Sequence, residues 1–160
     1  MARTVLVVCQ ANTCRSVMAH ALLERMLAAR GLDGRIRVTS GGIGPHARDG
    51  MIPSLDARIV LREDGIHLAE DTIVSTDLKA HGDVLAAADL ILTMTEEQKR
   101  LVRARVDAAE RAVYTLGEFA GDGGDIRDPV GQDEARYRAT RDEIKRRLES
   151  SLERLLRLLA

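Results

Sequence analysis

The sequence predicts an α/β fold: a three-layer sandwich in which a four-stranded parallel sheet is flanked by helices on both faces. Short apolar β-branched runs alternate with longer stretches whose apolar residues recur at helical spacing. That alternation is the pattern of a parallel sheet joined by crossover helices. The first run, Val5 to Val8, is apolar at every position, as expected of a strand buried on both faces. The core must be aliphatic, because the 160 residues include no Trp, one Phe and two Tyr. No repeat, linker or low-complexity stretch divides the chain, so residues 1–160 are expected to form one domain.

The elements follow in order. After the first strand, Met18, Leu22, Leu23, Met26 and Leu27 mark a helix from Ser16 to Arg30, and Gly31 supplies its stop. Arg35 to Thr39 reads as a second strand entering a turn at Ser40-Gly41-Gly42. A second helix opens near Pro53 and stops by Gly65. Leu78 to Ala87 is a weaker third helix, followed by a buried strand at Asp89 to Thr93. Thr95 and Gln98 have capping-box spacing and start a fourth helix that reaches about Val106. Val113 to Leu116 is the last strand. A loop from Ala120 to Gly131 carries four glycines and Pro129, and a long amphipathic helix runs from Asp133 to the end.

Bulk properties narrow the function. A net charge of −1 gives no electrostatic case for nucleic acid or a membrane, and the scarcity of aromatics argues against base stacking. The apolar run before Cys9 is too short for a signal peptide or a span, so a cytoplasmic location is expected. His20, His46, His67 and His81 are scattered without ligand spacing, and Gly42 and Gly44 lack a full dinucleotide fingerprint. No metal and no cofactor are expected.

In open parallel sheets, chemistry gathers at the C-terminal ends of the strands. The loops after Val8, Thr39 and Leu116 should meet there. The first is Cys9-Gln10-Ala11-Asn12-Thr13-Cys14-Arg15-Ser16, between a buried strand and a helix start. Successive backbone N–H groups in such a loop, ahead of a helix N-terminus, form a concave site for a dianion. The same positive potential favours the thiolate form of a cysteine at its base, here Cys9. Arg15 can grip two phosphoryl oxygens at once, and Ser16 can donate its hydroxyl to the Cys9 sulfur. A Cys after a strand is ordinarily a small buried hydrophobe; the Cys-x5-Arg-Ser spacing at this junction favours chemistry. Asp128-Pro129, in the glycine-rich loop on the same sheet edge, offers a proton donor, although Asp-Pro also starts ordinary turns.

Cys9-x5-Arg15-Ser16 near the start, Ser40-Gly41-Gly42 after the second strand and Asp128-Pro129 before the last helix resemble the low-molecular-weight protein tyrosine phosphatases. The resemblance covers essentially the whole chain. It implies that Cys9 is the nucleophile of a phosphocysteine intermediate, Arg15 stabilises the transition state and Asp128 is the general acid. Gln10, Ala11, Asn12, Thr13, Cys14 and Ser16 would line the phosphate loop, with Asn12 and Ser16 tuning the thiolate. Cys14 would match a second cysteine that forms a reversible disulfide with Cys9. The partner implied is a phosphorylated protein.

Thr13 resembles the protein-arginine phosphatase branch of that family, where tyrosine phosphatases carry a larger aliphatic residue. A hydroxyl with less bulk suits a planar, polar guanidinium, and an aliphatic wall suits an aromatic ring. Val130 and Gly131 stand where tyrosine phosphatases place aromatics. Hydrolysis of phosphoarginine is therefore the first expectation and of phosphotyrosine the second. Ala11, Val17 and Val130 depart from the family's glycine, proline and aromatic, and Ala11 would be strained if its backbone took a positive φ. Arsenate reductases share the fold but need further cysteines. A phosphocarrier needs no Asp128, and a silent phosphate-binding module needs no nucleophile.

Overall fold

A computed structural model describes residues 2–106 and 112–159. Strand β1 (Arg3–Cys9) lies inside the sheet, with β2 (Ile36–Gly42) on one side and β3 (Leu90–Thr93) on the other; β4 (Val113–Thr115) extends it beyond β3. All three pairings are parallel. The unbroken apolar run of β1 divides by pleat: Val5, Val7 and Cys9 enter one core, and Leu6 and Val8 the other. The larger core takes Leu22 and Leu23 from α1 (Arg15–Ala29) and Leu61 from α2 (Leu55–Glu63). It also takes Phe119 from α5 (Leu116–Ala120) and Ile144, Leu148 and Leu152 from α6 (Glu134–Leu159). The opposite face is covered by Leu85 of α3 (Gly82–Ala87) and Val102 of α4 (Glu96–Arg103). This is the expected three-layer α/β sandwich.

Ser40-Gly41-Gly42 is not a turn; it is the last stretch of β2. Gly42 donates its N–H to Thr76 O and accepts from Leu78 N, so residues 76–78 pair with the end of the strand. The glycine is needed for a close approach: a Cβ on Gly42 would stand 2.8 Å from Gln10 O and 2.9 Å from the Ala11 carbonyl carbon. The third helix is shorter than the sequence suggests for the same reason, because Leu78 is drawn into the second core beside Gly41.

The second helix starts later than Pro53, since Ser54 is its cap and accepts from Ala57 N. The Thr95–Gln98 box caps α4 as expected, and that helix ends at Arg103 rather than near Val106. The fourth strand stops at Thr115, one residue short of the expected Leu116, because Thr115 and Glu118 form a second capping box that opens α5, a helix falling between the expected strand and the loop expected from Ala120.

Replacing Gly42 with Ala is expected to destabilise the protein by about 1–3 kcal/mol, because its contacts are backbone and cannot swing aside. Gly34→Ala, which meets nothing within 4 Å, serves as the neutral control. Urea unfolding of both variants checks this.

Candidate active site

The loop expected to hold phosphate, Cys9 to Ser16, sits between β1 and α1 at the C-terminal edge of the sheet. Cys9, only 2% exposed, forms its floor. The Asn12 backbone N–H points at Cys9 Sγ at 3.3 Å, and Ser16 Oγ lies 3.0 Å from the same sulfur. Asn12 Nδ2 donates to Ser16 Oγ at 2.7 Å, which leaves the serine's own proton free to donate to Cys9. Asn12 Oδ1 accepts from Thr76 N at 3.0 Å, an N–H that fixes which end of the amide is oxygen.

The loop's tight reversal falls on Asn12, at φ 61°, the one non-glycine residue among those described with positive φ. Asparagine visits this region more readily than most L residues. Ala11 is therefore not strained, and alanine in place of the family's glycine costs the loop nothing there. No acceptor among the described residues takes the N–H groups of Ala11, Thr13 or Cys14, which leaves them for an anion.

The loop is held from outside as well. Gln10 O accepts from Gly44 N, Cys9 O from Ile43 N, and Thr13 O from Ser54 N at the cap of α2. None of these contacts was legible in the sequence, because a backbone N–H carries no side-chain signature. Asp49 accepts from Asp77 N and pairs with His81 at 2.7 Å, joining the segment after β2 to the one that supplies Thr76.

Arg15 is 4% exposed. Its Nη1 donates to Ile126 O at 2.8 Å, and its Nη2 stands 3.7 Å from Asp128 Oδ2. The other Asp128 oxygen accepts from Val130 N at 3.0 Å, so Asp128-Pro129 is a turn and also faces Arg15. Val130 is exposed at the rim.

Cys14 is buried at the first turn of α1, and burial, reinforced by the neighbouring Cys9 sulfur and the Asp128 carboxylate, pushes its thiol well above the usual range. It stays protonated at neutral pH. Burial likewise pushes Tyr137 up to about 12, with Cys14, Asp56 and Asp128 adding to the effect. The structure thus gathers Cys9, Arg15, Asp128, Asn12, Cys14 and Ser16 at one place, with Gln10, Ala11 and Thr13 half-buried in the loop between.

A thiol at the floor of a loop of inward amides, an arginine at its lip and a carboxyl facing that arginine define a class, the α/β phosphatases built on a phosphate-binding loop. The chain belongs to the low molecular weight phosphotyrosine protein phosphatase family, whose profile matches residues 4–158. It is 38% identical over 152 residues to a protein-arginine-phosphatase of Geobacillus stearothermophilus, covering 94% of this chain and 95% of that protein. It is 32% identical to a probable low molecular weight protein-tyrosine-phosphatase of Ralstonia nicotianae, with 97% of each covered. Among solved structures, an arginine phosphatase from Geobacillus stearothermophilus superposes with a TM-score of 0.82 at 36% identity, over 97% of this chain and 94% of that one.

Asn12→Ala should cost about 2–3 kcal/mol in denaturant unfolding, combining left-handed strain with two lost side-chain hydrogen bonds. Asn12→Gly removes only the bonds and should cost less. The His81 value is raised by its hydrogen bond and charge contact with Asp49. The stability from this pair is therefore present in full below the ordinary histidine value and fades as pH rises past the raised one. Titration of His81 by NMR should fall back toward the ordinary value in Asp49→Asn, with Asp83 and Asp77 still raising it.

Proposed function

We propose that this chain hydrolyses phosphoarginine in proteins through a phosphocysteine intermediate. The observation that carries the reading is the convergence of Cys9, Arg15 and Asp128 around one loop of free amides. The phosphoryl oxygens take the loop N–H groups and the Arg15 guanidinium. The Cys9 thiolate attacks phosphorus and the bond to the guanidino nitrogen breaks. Asp128 gives that nitrogen its proton. Water then attacks the phosphocysteine, Asp128 takes the proton back, and Ser16 donates to the departing Cys9 sulfur. Such a donor supplies about 10²–10⁴-fold in rate. It matters especially here, because an unprotonated arginine is a worse leaving group than tyrosinate, with reference values of ~12.5 against ~10.

Thr13 supports arginine over tyrosine. It presents a hydroxyl from a half-buried loop position, and Val130 beside Asp128 offers no ring to sandwich an aromatic substrate. The relatives named as arginine phosphatases agree with this choice, and phosphotyrosine is the alternative the experiment separates.

Phosphate release from matched phosphoarginine and phosphotyrosine peptides is the test, with Cys9→Ser as the blank. The phosphoarginine peptide should turn over faster, and Thr13→Ile should erode or reverse that preference. Faster turnover of phosphotyrosine would overturn the specificity and leave the mechanism. Asp128→Asn should lower kcat on either peptide by about 10²-fold or more.

A further inference from the structure

The segment that carries Asp128 has little to hold its own shape. Gly121, Gly123 and Gly124 all take positive φ, and Gly131 follows the Asp-Pro turn in the same region. Glycines of this kind leave a loop many alternative paths. Its position is set instead by contacts from below. Asp122 N and Gly123 N both donate to Gly117 O at 2.9 Å, and Ile126 N donates to Met94 O. Arg146 Nη1 holds the Asp122 carboxylate at 2.7 Å, and among the described residues the side chain that grips the carbonyls of the glycine stretch is Arg147, from the middle of α6. Its Nη1 donates to Gly124 O at 2.8 Å and its Nη2 to Gly123 O at 3.0 Å.

Arg147 is 8% exposed, an unusual place for a guanidinium on a helix face otherwise given to Ile144, Leu148 and Leu152. Its acidic neighbours, Glu143 at 3.7 Å and Asp122 at 3.9 Å, stand farther off than the two carbonyls. Taking a cation out of water is costly, and a well-packed apolar side chain usually stabilises such a site as well or better. The space around the grip is closed: a Cβ on Gly117 would lie 2.6 Å from Gly124 O and 2.9 Å from Arg147 Nη1. Two residues beyond Gly124, Ile126 O receives Arg15 Nη1, and two further on Asp128 faces Arg15 Nη2. The loop that Arg147 holds is therefore the loop that aims both the phosphate-gripping arginine and the acid.

We propose that Arg147 is a positioning residue for the reaction, fixing the 121–128 loop so that Ile126 O and Asp128 hold their places around Arg15. This rests on Asp128 being the general acid. Loss of the grip then has two consequences. Arg15 loses its fixed acceptor, which weakens phosphate binding and slows every substrate. Asp128 also drifts, which slows the first step only for substrates whose leaving group needs a proton, and slows phosphocysteine hydrolysis for all of them alike.

The test compares wild type, Arg147→Met, Arg147→Lys and Asp128→Asn on a phosphorylated peptide and on 4-nitrophenyl phosphate, whose phenolate leaves without a proton. Inhibition by inorganic phosphate and thermal unfolding are measured alongside. In Arg147→Met, kcat/KM on the peptide, which reports only the steps through phosphocysteine formation, should fall about 10²-fold, at the low end of what a general acid supplies, with a loss on the aryl phosphate at least several-fold smaller. Phosphate should inhibit more weakly. Arg147→Lys, which keeps the charge but cannot fork between two carbonyls, should fall between. A merely structural role lowers the unfolding midpoint while leaving the ratio of the two substrates at its wild-type value, and that ratio unchanged in a folded variant overturns the proposal. Should Arg147→Met fail to fold, the ratio is read in Arg147→Lys, where a smaller shift in the same direction is expected. Asp128→Asn separates the two ideas. If it leaves the ratio unchanged, the acid role of Asp128 falls; if it shifts the ratio and the Arg147 variants do not, only the positioning role falls.

Discussion

A run of backbone amides aimed at one point cannot satisfy itself, and the architecture around Cys9 follows from that constraint. Helices and sheets spend their N–H groups internally; the loop from Gln10 to Cys14 must leave several unspent and still hold its shape. It does so by accepting hydrogen bonds on its carbonyls while the Asn12 N–H turns in to Cys9 and those of Ala11, Thr13 and Cys14 take no acceptor among the described residues. Gly44, Ile43 and Ser54 each donate to a loop carbonyl. Asn12 ties the inside together, bridging Ser16 and the Thr76 backbone while occupying the one left-handed turn. The bare end of β2 belongs to the same solution, since any side chain on Gly42 would displace the loop it supports.

Electrostatics completes the site by giving two chemically similar groups different environments. Cys9 faces an amide and a hydroxyl, both able to donate to sulfur, whereas Cys14 is enclosed and held in its thiol form. Arg15 is buried, but its guanidinium is shared between a neutral carbonyl and a carboxylate at a longer distance. A tighter bidentate pair with Asp128 would leave fewer donors for a phosphoryl group. The existing arrangement keeps the arginine oriented without closing it off.

The sequence showed the layers and the chemistry more fully than the joints. Apolar periodicity located all four strands, and Cys9, Arg15, Ser16 and Asp128 carried their own signal through residue type and spacing. Three misplacements have separate physical origins. Ser40-Gly41-Gly42 resembled a turn because glycine marks both turns and close backbone approach, and only the crossing of Gln10 and Ala11 decides between them. Pro53 resembled a helix start because proline suits a first turn, yet Ser54 beside it is the better cap. The helix after Thr115 was hidden by its length, although its Thr-x-x-Glu box was in plain view. Thr76, Ile126 and Met94 contribute only backbone atoms to the site, so no residue preference marks them.

The aliphatic core leaves this protein with a very spare set of chromophores. With no Trp, its near-ultraviolet emission comes from Tyr114 and Tyr137 alone. Tyr114 packs against Phe119 under the Arg154 guanidinium, far along the chain from the phosphate loop. Tyr137 is 3% exposed, among Cys14, Asp56 and Asp128, and its phenol stays protonated well into alkaline solution. One of the two tyrosines therefore lies within electrostatic reach of Cys14 and Asp128. Tyr114→Phe would leave Tyr137, beside Cys14 and Asp128, as the sole tyrosine emitter in the unlabelled chain.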